Sequence, residues 1–370
     1  MILIETALGG HRQQLATPDQ VVADWVDEYV GEWWPLTQTS LVDASCQQVQ
    51  AIIEADEYTS LVDRLDDDAE EVETFIRTPG RRSDDGAMTR VDVPSRGLGF
   101  ELDRSTGVLR IVGRDPEQTK LEASRFLRNR LTDRLERDGW TVLHASCVVT
   151  ERGAALILGY KGAGKTTSSL TIASAWGGAL LANDRCLVKV VDGRMQVLPW
   201  PGSISIGFGL LVALGWFDTL SDSLIGGARQ HPFQDPLATR MLAEKKPEVV
   251  FGDDDREVKA EIMPRDLTRL FGIETRRESE VTRVIFPKVN REGLIGFSDA
   301  EEGAEFFTEH LLEGPMSGYP DFLSLGVPPE ARSRPQTDVA LGHLARLPQF
   351  SLALGYDPRA NREYLAGDRR

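Results

Sequence analysis

Residues 159–166 read Gly-Tyr-Lys-Gly-Ala-Gly-Lys-Thr and match the phosphate-binding loop pattern G-x-x-x-x-G-K-[ST] at every fixed position. The apolar run 154–158 precedes this loop and predicts a buried strand. Residues 166–176 contain neither Pro nor Gly, which predicts a helix that ends at Gly177. Strand, glycine-rich loop and helix follow one another as the motif requires, so this part of the chain is restricted to an α/β fold.

The residues of the loop suit a nucleotide triphosphate and its metal ion. Glycines let backbone N–H groups approach phosphate oxygens without a Cβ in the way, and the N-terminus of the following helix favours an anion. Lys165 supplies a full charge to the outer phosphates, and the Thr166 hydroxyl is a Mg²⁺ ligand in this motif. We therefore expect ATP and Mg²⁺ as cofactors. The predicted nucleotide-binding residues are Gly159, Lys161, Gly162, Ala163, Gly164, Lys165, Thr166 and Thr167.

A histidine is predicted at the mouth of the loop. The apolar runs 141–150 and 154–158 are separated by Glu151-Arg152-Gly153, which is typical of a β-hairpin. Antiparallel pairing about that turn brings His144 level with Gly159. A lone histidine is usually structural, but an imidazole beside a phosphate acts as a proton donor or acceptor.

An acidic residue is predicted at the same edge of the sheet. Residues 179–182 form a short apolar run after the helix, and a strand in that position should lie parallel to the first. Because ligands bind outside the carboxyl ends of such strands, Asn183 and Asp184 should face the loop. Asp184 is then a candidate ligand of Mg²⁺ and a candidate base for an attacking hydroxyl. The alternative is an aspartate that hydrogen-bonds its own turn.

Three segments in this order resemble the HPr kinase/phosphorylase superfamily, which also includes ATP-dependent phosphoenolpyruvate carboxykinases and small-molecule kinases. They are Leu143-His144-Ala145-Ser146, the loop 159–166, and Ala182-Asn183-Asp184-Arg185. The resemblance covers residues 140–210 and continues more weakly to about residue 357. It implies an α/β fold with a P-loop kinase core, in which a mixed sheet is flanked by helices.

The same resemblance implies roles for individual residues. It implies that His144 helps to position the phosphoryl group or the metal. Family members usually carry Ala-Asp-Asp-Arg where this chain has Asn183 in the first acidic position. We therefore expect Asp184 to be the base and Asn183 to be a neutral contact. No recognition site for the protein HPr is identifiable, so HPr is not the expected substrate.

The remaining sequence predicts a smaller mixed α+β domain over residues 1–135, the kinase domain over 136–360 and a loose tail over 361–370. The following features are expected along the chain: a helix over 21–34, a loop over 78–86, a hairpin of 97–102 with 108–112, a helix over 116–139 with solvated arginines, hairpin strands at 187–191 and 195–198, a mobile excursion over 221–255, and helices over 299–312 and 337–347. The N-terminal domain is expected to carry its strands late. Arg240, Lys245 and Lys246 within the excursion are expected to be ordinary surface charges.

Composition limits the classes of partner. The formal net charge is −16, which argues against nucleic acid or an anionic membrane as the main partner. No apolar run reaches the roughly 18 residues of a membrane span, and the apolar start 1–4 is too short for a signal peptide. A cytoplasmic protein is expected. The three cysteines, Cys46, Cys147 and Cys186, show no paired spacing, and the last two are predicted to be buried reduced thiols.

The sequence thus predicts an ATP- and Mg²⁺-dependent kinase that phosphorylates a hydroxyl of a small molecule or peptide. Lys165, Asp184 and His144 are the predicted catalytic residues, and Thr166 and Asp184 the predicted metal ligands. The alternatives are a nucleotide-binding regulator or scaffold without transfer, a phosphorylase or phosphatase of the same superfamily, and a carboxykinase-like lyase. The acceptor, the preference for ATP or GTP and the oligomeric state do not follow from the sequence.

Overall fold

The computed structural model describes residues 1–43, 48–75, 78–252, 257–289, 294–312, 320–326 and 334–368. The chain forms two compact units. The N-terminal unit comprises Met1–Trp140 and Leu312–Ser333, and the loop unit comprises Thr141–Leu311 and Arg334–Arg370. The division falls after Trp140, whereas the sequence suggested residue 135. Cys46 lies outside the described residues.

The N-terminal unit begins with strands, contrary to the expectation that its strands come late. Its strands are β1 (Ile2–Leu8), β2 (His11–Thr17), β3 (Leu36–Thr39), β4 (Val49–Ile53), β5 (Glu70–Phe75), β6 (Thr78–Asp84), β7 (Met88–Val93), β8 (Leu98–Asp103) and β9 (Leu109–Gly113). They pair in the order β3-β1-β2-β4-β9-β8-β7-β6-β5. Gly9 and Gly10, with φ of +56° and +84°, form the turn between β1 and β2. The predicted hairpin of β8 with β9 is confirmed.

The segment 78–86, expected as a loop, is mostly the strand β6, which pairs with β5 and β7. Proline and glycine in this segment suggested a turn. The structure accommodates Pro79 near a shift in the β5–β6 register between Glu73 and Phe75, where regular hydrogen bonding is interrupted. Gly80 is needed because a Cβ there would come within 2.9 Å of the Asp92 carbonyl oxygen.

The helices of the N-terminal unit are α1 (Gln20–Val30), α2 (Ala55–Val62) and α3 (Pro116–Arg137), with a single 3₁₀ turn at Pro94–Arg96. Helix α1 ends before Gly31, earlier than the predicted residue 34. Helix α3 is confirmed, and it packs against α1, β2, β4 and β9. Its arginines were expected to be solvated, which is wrong for Arg128 and Arg130, since both are buried. Packing on two sides explains this burial, which a one-sided leucine stripe did not reveal.

The loop unit is built on a second mixed sheet. The strands of this unit are β10 (Thr141–Leu143), β11 (Ser146–Thr150), β12 (Gly153–Ile157), β13 (Ala179–Ala182), β14 (Cys186–Val191), β15 (Arg194–Pro199), β16 (Ile204–Gly207), β17 (Lys259–Ile262), β18 (Ser279–Val289), β19 (Gly296–Asp299) and β20 (Gln349–Leu354). The main order is β10-β14-β15-β18-β12-β11-β13, with β20 paired to β18 and β19. Strands β16 and β17 form a separate two-stranded sheet. The predicted hairpin of β14 with β15 is confirmed.

Strands β12 and β13 carry the predicted site residues to one edge of this sheet. Strand β11 lies between them and is antiparallel to both, so β12 and β13 run parallel to each other, as predicted. Both strands are almost wholly buried, which suits apolar runs covered on both faces. Their carboxyl ends therefore meet at the same edge.

The helices of the loop unit are α4 (Lys165–Trp176), α5 (Phe208–Leu214), α6 (Phe217–Ile225), α7 (Pro236–Ala243), α8 (Pro264–Phe271), α9 (Ala304–Thr308), α10 (Arg334–Leu344) and α11 (Pro358–Gly367). Helix α4 begins and ends as the sequence predicted. The expected excursion over 221–255 instead contains the end of α6 and all of α7, while 253–256 lie outside the described residues. The helix expected over 299–312 is shorter, because Asp299 ends β19 and only 304–308 are helical.

The C-terminal residues expected to be a tail form most of α11. Leu365 on this helix is fully buried, and its carbonyl accepts a hydrogen bond of 2.7 Å from the Trp176 indole of α4. Asp357 caps the helix by accepting from the backbone N–H of Arg359. Across the described part of the chain, no single helix is long and apolar enough to cross a membrane, and the pair α5–α6 is bent by 107°.

Candidate active site

The loop between β12 and α4 requires glycine at two positions. Gly162 and Gly164 have φ of +84° and +100°, a backbone conformation that residues with a side chain rarely adopt. A Cβ on Gly164 would also lie 2.5 Å from the Val289 side chain of β18. Both observations explain why glycine occupies these positions. The loop therefore approaches β18 more closely than any other residue type would allow.

Helix α4 begins at Lys165, directly after this loop. Its N-cap residue is Gly164, which has no side chain to accept hydrogen bonds from the N–H groups of the first turn. These N–H groups and the positive end of the helix dipole are suited to an anion. Thr166 and Thr167 lie half-buried in the same turn, which places hydroxyl groups beside the loop.

The Lys165 ammonium turns back onto the loop. Its Nζ donates to the Gly159 carbonyl oxygen at 2.7 Å and to the Tyr160 carbonyl oxygen at 3.4 Å. Partial burial lowers the pKa of Lys165, the nearby Asp184 carboxylate opposes this change, and the positive charge of Lys259 adds to it. The lysine is thus held in the loop by neutral oxygens and lies within electrostatic reach of Asp184.

His144 and Asp184 meet beside the loop. His144 directly follows β10, Asp184 lies two positions after the end of β13, and His144 Nε2 lies 3.2 Å from Asp184 Oδ1. The Ser146 hydroxyl donates to the Asn183 carbonyl oxygen and links the start of β11 to the residue that follows β13. The predicted continuous run 141–150 is interrupted at residues 144 and 145. His144 therefore lies between β10 and β11 and is not part of either strand.

Asp184 is also close to cations. Arg185 Nε lies 3.4 Å from Asp184 Oδ2, and the Arg185 guanidinium lies 4.9 Å from the centre of the Trp200 ring. Burial acts to raise the pKa of Asp184, but the hydrogen bond to His144 and the charges of His144, Arg185 and Lys165 outweigh it and lower the pKa. The lowered pKa keeps the carboxylate ionised at neutral pH, and the 60% exposure of the side chain makes it accessible. Its two carboxylate oxygens lie beside His144 and Arg185 respectively.

Two neighbours of the loop were missed by the sequence. Lys259 begins β17 and pairs with Gly207 of β16, and its charge reaches Lys165. Tyr160, within the loop itself, packs against Phe306 and His310. The motif treats position 160 as variable, and the segment after α9 carries no pattern that points to the loop. Neither contact has a local sequence signal.

Other candidates lie away from this chemistry. Lys245 pairs with Asp222 at 2.7 Å and Lys246 with Glu244 at 2.6 Å, as ordinary surface ion pairs. Cys147 and Cys186 are fully buried free thiols, and burial raises the pKa of both, that of Cys186 to about 12. This agrees with the prediction of buried reduced thiols.

The residues beside the loop fit Mg²⁺ by their donor chemistry. Over the described ranges, no group of three or more His, Cys, Asp or Glu side chains forms a metal cluster. Mg²⁺ does not require one, since it usually binds one or two carboxylates together with substrate phosphates. The Thr166 hydroxyl and the exposed Asp184 carboxylate are oxygen ligands of the preferred kind. The site therefore suits a metal that arrives with a nucleotide.

Comparison with known proteins gives one structural neighbour to report. No family model matches the sequence, and no curated protein matches it. Among solved structures, the Hpr(Ser) kinase/phosphatase from Coxiella burnetii is 15% identical, with a TM-score of 0.23. That match covers 43% of this chain and 72% of the other chain. The function proposed below rests on the geometry of the site and not on this likeness.

Proposed function

We propose that this protein is an ATP- and Mg²⁺-dependent phosphotransferase that phosphorylates a hydroxyl of a small molecule or peptide. One observation supports this above the others: Lys165 of the glycine-rich loop and the His144–Asp184 pair lie at one sheet edge, within electrostatic reach of each other. A cation, an ionised carboxylate and an imidazole beside a phosphate-binding loop are the groups that phosphoryl transfer uses.

Different residues of the chain bind the phosphates, neutralise their charge and hold the metal ion. Backbone N–H groups of residues 162–166 hold the β- and γ-phosphates, and Lys165 leaves its carbonyl partners to neutralise charge on the transferring group. The acceptor hydroxyl gives its proton to Asp184, its oxygen bonds to the γ-phosphorus, and the bond between the γ-phosphorus and the β–γ bridging oxygen breaks, which releases ADP. Thr166 and Asp184 would hold Mg²⁺, which supplies neutralisation of phosphate charge when bound.

The His144–Asp184 pair supplies two proton acceptors. The low pKa of Asp184 keeps its carboxylate ionised, which favours metal binding and orientation of the His144 ring. A loose transition state for phosphoryl transfer needs little help from a strong base. Asp184 is proposed as the base and His144 as its alternate, and their substitution separates these roles.

The test is a transfer screen with γ-labelled ATP and Mg²⁺ against pooled hydroxylated metabolites and peptides, read by the mass shift of phosphorylation. The proposal predicts a phosphorylated acceptor with the wild-type chain and none with Lys165→Ala. Lys246→Ala is the matched control, because Lys246 is an exposed lysine paired with Glu244. Slow ATP turnover that no acceptor stimulates would instead identify a nucleotide-binding regulator. Release of phosphate from a phosphorylated acceptor would identify the phosphatase alternative, and formation of pyrophosphate from that acceptor and added inorganic phosphate would identify the phosphorylase alternative.

A further inference from the structure

The Tyr160 side chain is docked although 59% of it is exposed. Its ring lies edge-on to Phe306 at 6.0 Å and beside His310 at 5.5 Å between centroids. Its hydroxyl donates a hydrogen bond to the Glu309 carboxylate. All three partners belong to residues 306–310, here called the docking segment, which starts within α9. The second residue of the phosphate loop is therefore anchored outside the motif.

The backbone of Tyr160 shapes the loop. Its carbonyl oxygen accepts a hydrogen bond from the Ala163 N–H at 3.1 Å, which closes the turn over residues 160–163. The same oxygen lies 3.4 Å from Lys165 Nζ. A displacement of the Tyr160 side chain would thus move both the turn and a hydrogen-bond partner of the lysine.

The docking segment and the residue after it also contact His144 and its neighbour Leu143. The His310 carbonyl oxygen accepts a hydrogen bond of 2.8 Å from the His144 N–H, and Leu311 bridges to Leu143. The segment is itself fixed, because Phe307 is fully buried and His310 is 3% exposed. One short piece of chain is therefore bonded to the phosphate loop and to His144.

We propose that Tyr160 and Glu309 are positioning residues for nucleotide binding, and that their hydrogen bond holds the phosphate loop in register with His144 and Asp184. The inference rests on the proposed function, since it requires that the loop binds a nucleotide. Tyr160 acts through the loop turn and Glu309 acts through Tyr160. Their effects should therefore be shared and not independent.

The test is a double-mutant cycle on the affinity for a non-hydrolysable ATP analogue with Mg²⁺, measured by isothermal titration calorimetry. The variants are Tyr160→Phe, Glu309→Ala and the double variant. We expect each single variant to weaken binding about threefold to tenfold, as for loss of one modest hydrogen bond. The double variant should be no weaker than either single variant. Glu309→Gln, which keeps an acceptor oxygen, should recover part of the loss.

Matched controls exist on the same unit. Tyr356→Phe alters a tyrosine that is 67% exposed, and Glu305→Ala alters an exposed glutamate of α9 itself. Both should bind the analogue as the wild-type chain does. A second measurement is hydrogen exchange over residues 159–165 without nucleotide, which should be faster in Tyr160→Phe than in Tyr356→Phe.

Wild-type affinity in both Tyr160→Phe and Glu309→Ala would overturn this inference alone, as would losses that multiply in the double variant. Unchanged exchange over residues 159–165 in Tyr160→Phe would also contradict it. Absence of binding by the wild-type chain would overturn the proposed function together with it, so the two failures are distinguishable.

Discussion

Lys120 and Lys165 both lie near the N-terminus of a helix, Lys120 fully buried and Lys165 partly buried, yet their partners differ. The Lys120 side chain is 1% exposed, its Nζ lies 2.6 Å from the Glu117 carboxylate, and it lies 5.0 Å from the centre of the Trp25 ring. Lys165 donates to carbonyl oxygens, and none of the described carboxylates lies within salt-bridge distance of it. The positive charge of Lys120 is compensated by a carboxylate, so this lysine stabilises the fold. The charge of Lys165 is not compensated by its carbonyl partners and is therefore available to an anionic ligand.

Two aspartates extend the comparison. Burial raises the pKa of Asp133 in α3 to about 8, the charge of Glu136 adds to this, and Arg130 opposes it. Cations and a histidine lower the pKa of the exposed Asp184. One acid is therefore protonated inside the fold at neutral pH, and the other is ionised at an accessible edge. Of the two aspartates, only Asp184 is accessible to a metal ion or to a substrate hydroxyl.

The largest effect is expected from Lys165→Ala. Loss of this charge should reduce phosphoryl transfer by about 10²-fold or more, since charge stabilisation is a dominant part of such catalysis. The free energy of unfolding should change little, because only loop carbonyls lose a partner. Transfer assays and urea denaturation measure the two quantities, with Lys246→Ala as control. Undiminished turnover would remove Lys165 from the site.

Asp184→Asn should give the next largest loss. We expect the rate of transfer to fall by about 10²-fold, the lower end of the range for removal of an acid–base group, because a loose transition state needs little help from a base, with a smaller change in nucleotide affinity. His144→Asn should cost less if Asp184 is the base. A rate that survives Asp184→Asn and falls with His144→Asn would reverse the two roles.

Lys120→Met should have the opposite effect to Lys165→Ala: it should lower stability and leave the nucleotide site intact. Losing the hydrogen bond to Glu117 and the contact with Trp25 should lower the free energy of unfolding by about 1–2 kcal/mol. Nucleotide affinity should be unchanged. Chemical denaturation of this variant beside Lys246→Met tests the stability claim. Full stability in Lys120→Met would mean that burial and pairing do not mark a structural lysine here.

Asp133→Asn should alter the pH dependence of stability. The folded pKa of about 8 lies above the ordinary value of 3.8, so the folded state binds the extra proton between these values. Wild-type stability should therefore fall as pH rises through this window, by at most about 1.4 kcal/mol per pH unit from this group. The difference between Asp133→Asn and wild type should grow in favour of the variant from pH 5 to pH 8.5. A constant difference would contradict the assignment.

The sequence predicted the elements that local patterns determine. The loop 159–166 with its strand and helix, the hairpin about Asp192-Gly193, and the long helix α3 all follow from fixed motifs or turn residues. The sequence-based predictions were wrong where burial or secondary structure depends on contacts between residues far apart in the chain. Arg128 and Arg130 are buried because neighbouring elements cover α3, and residues 78–84 form a strand because two partners lie beside them.

The site shows the same limit. His144, Lys165 and Asp184 were found because each lies next to a recognisable strand end or motif position. Tyr160 and Glu309 were not found, since they are 149 positions apart in the sequence and no local pattern links them. Lys259 was missed because its proximity depends on the pairing of β17 with β16. Long-range contacts of this kind are fixed only by the complete fold.

A crystal structure with Mg²⁺ and a non-hydrolysable ATP analogue would test the proposed phosphotransferase site. The terminal phosphate should contact Lys165 Nζ, and Asp184 should contact the same phosphate or its metal ion. A nucleotide bound away from residues 159–166, or an Asp184 carboxylate remote from the terminal phosphate, would contradict this proposal.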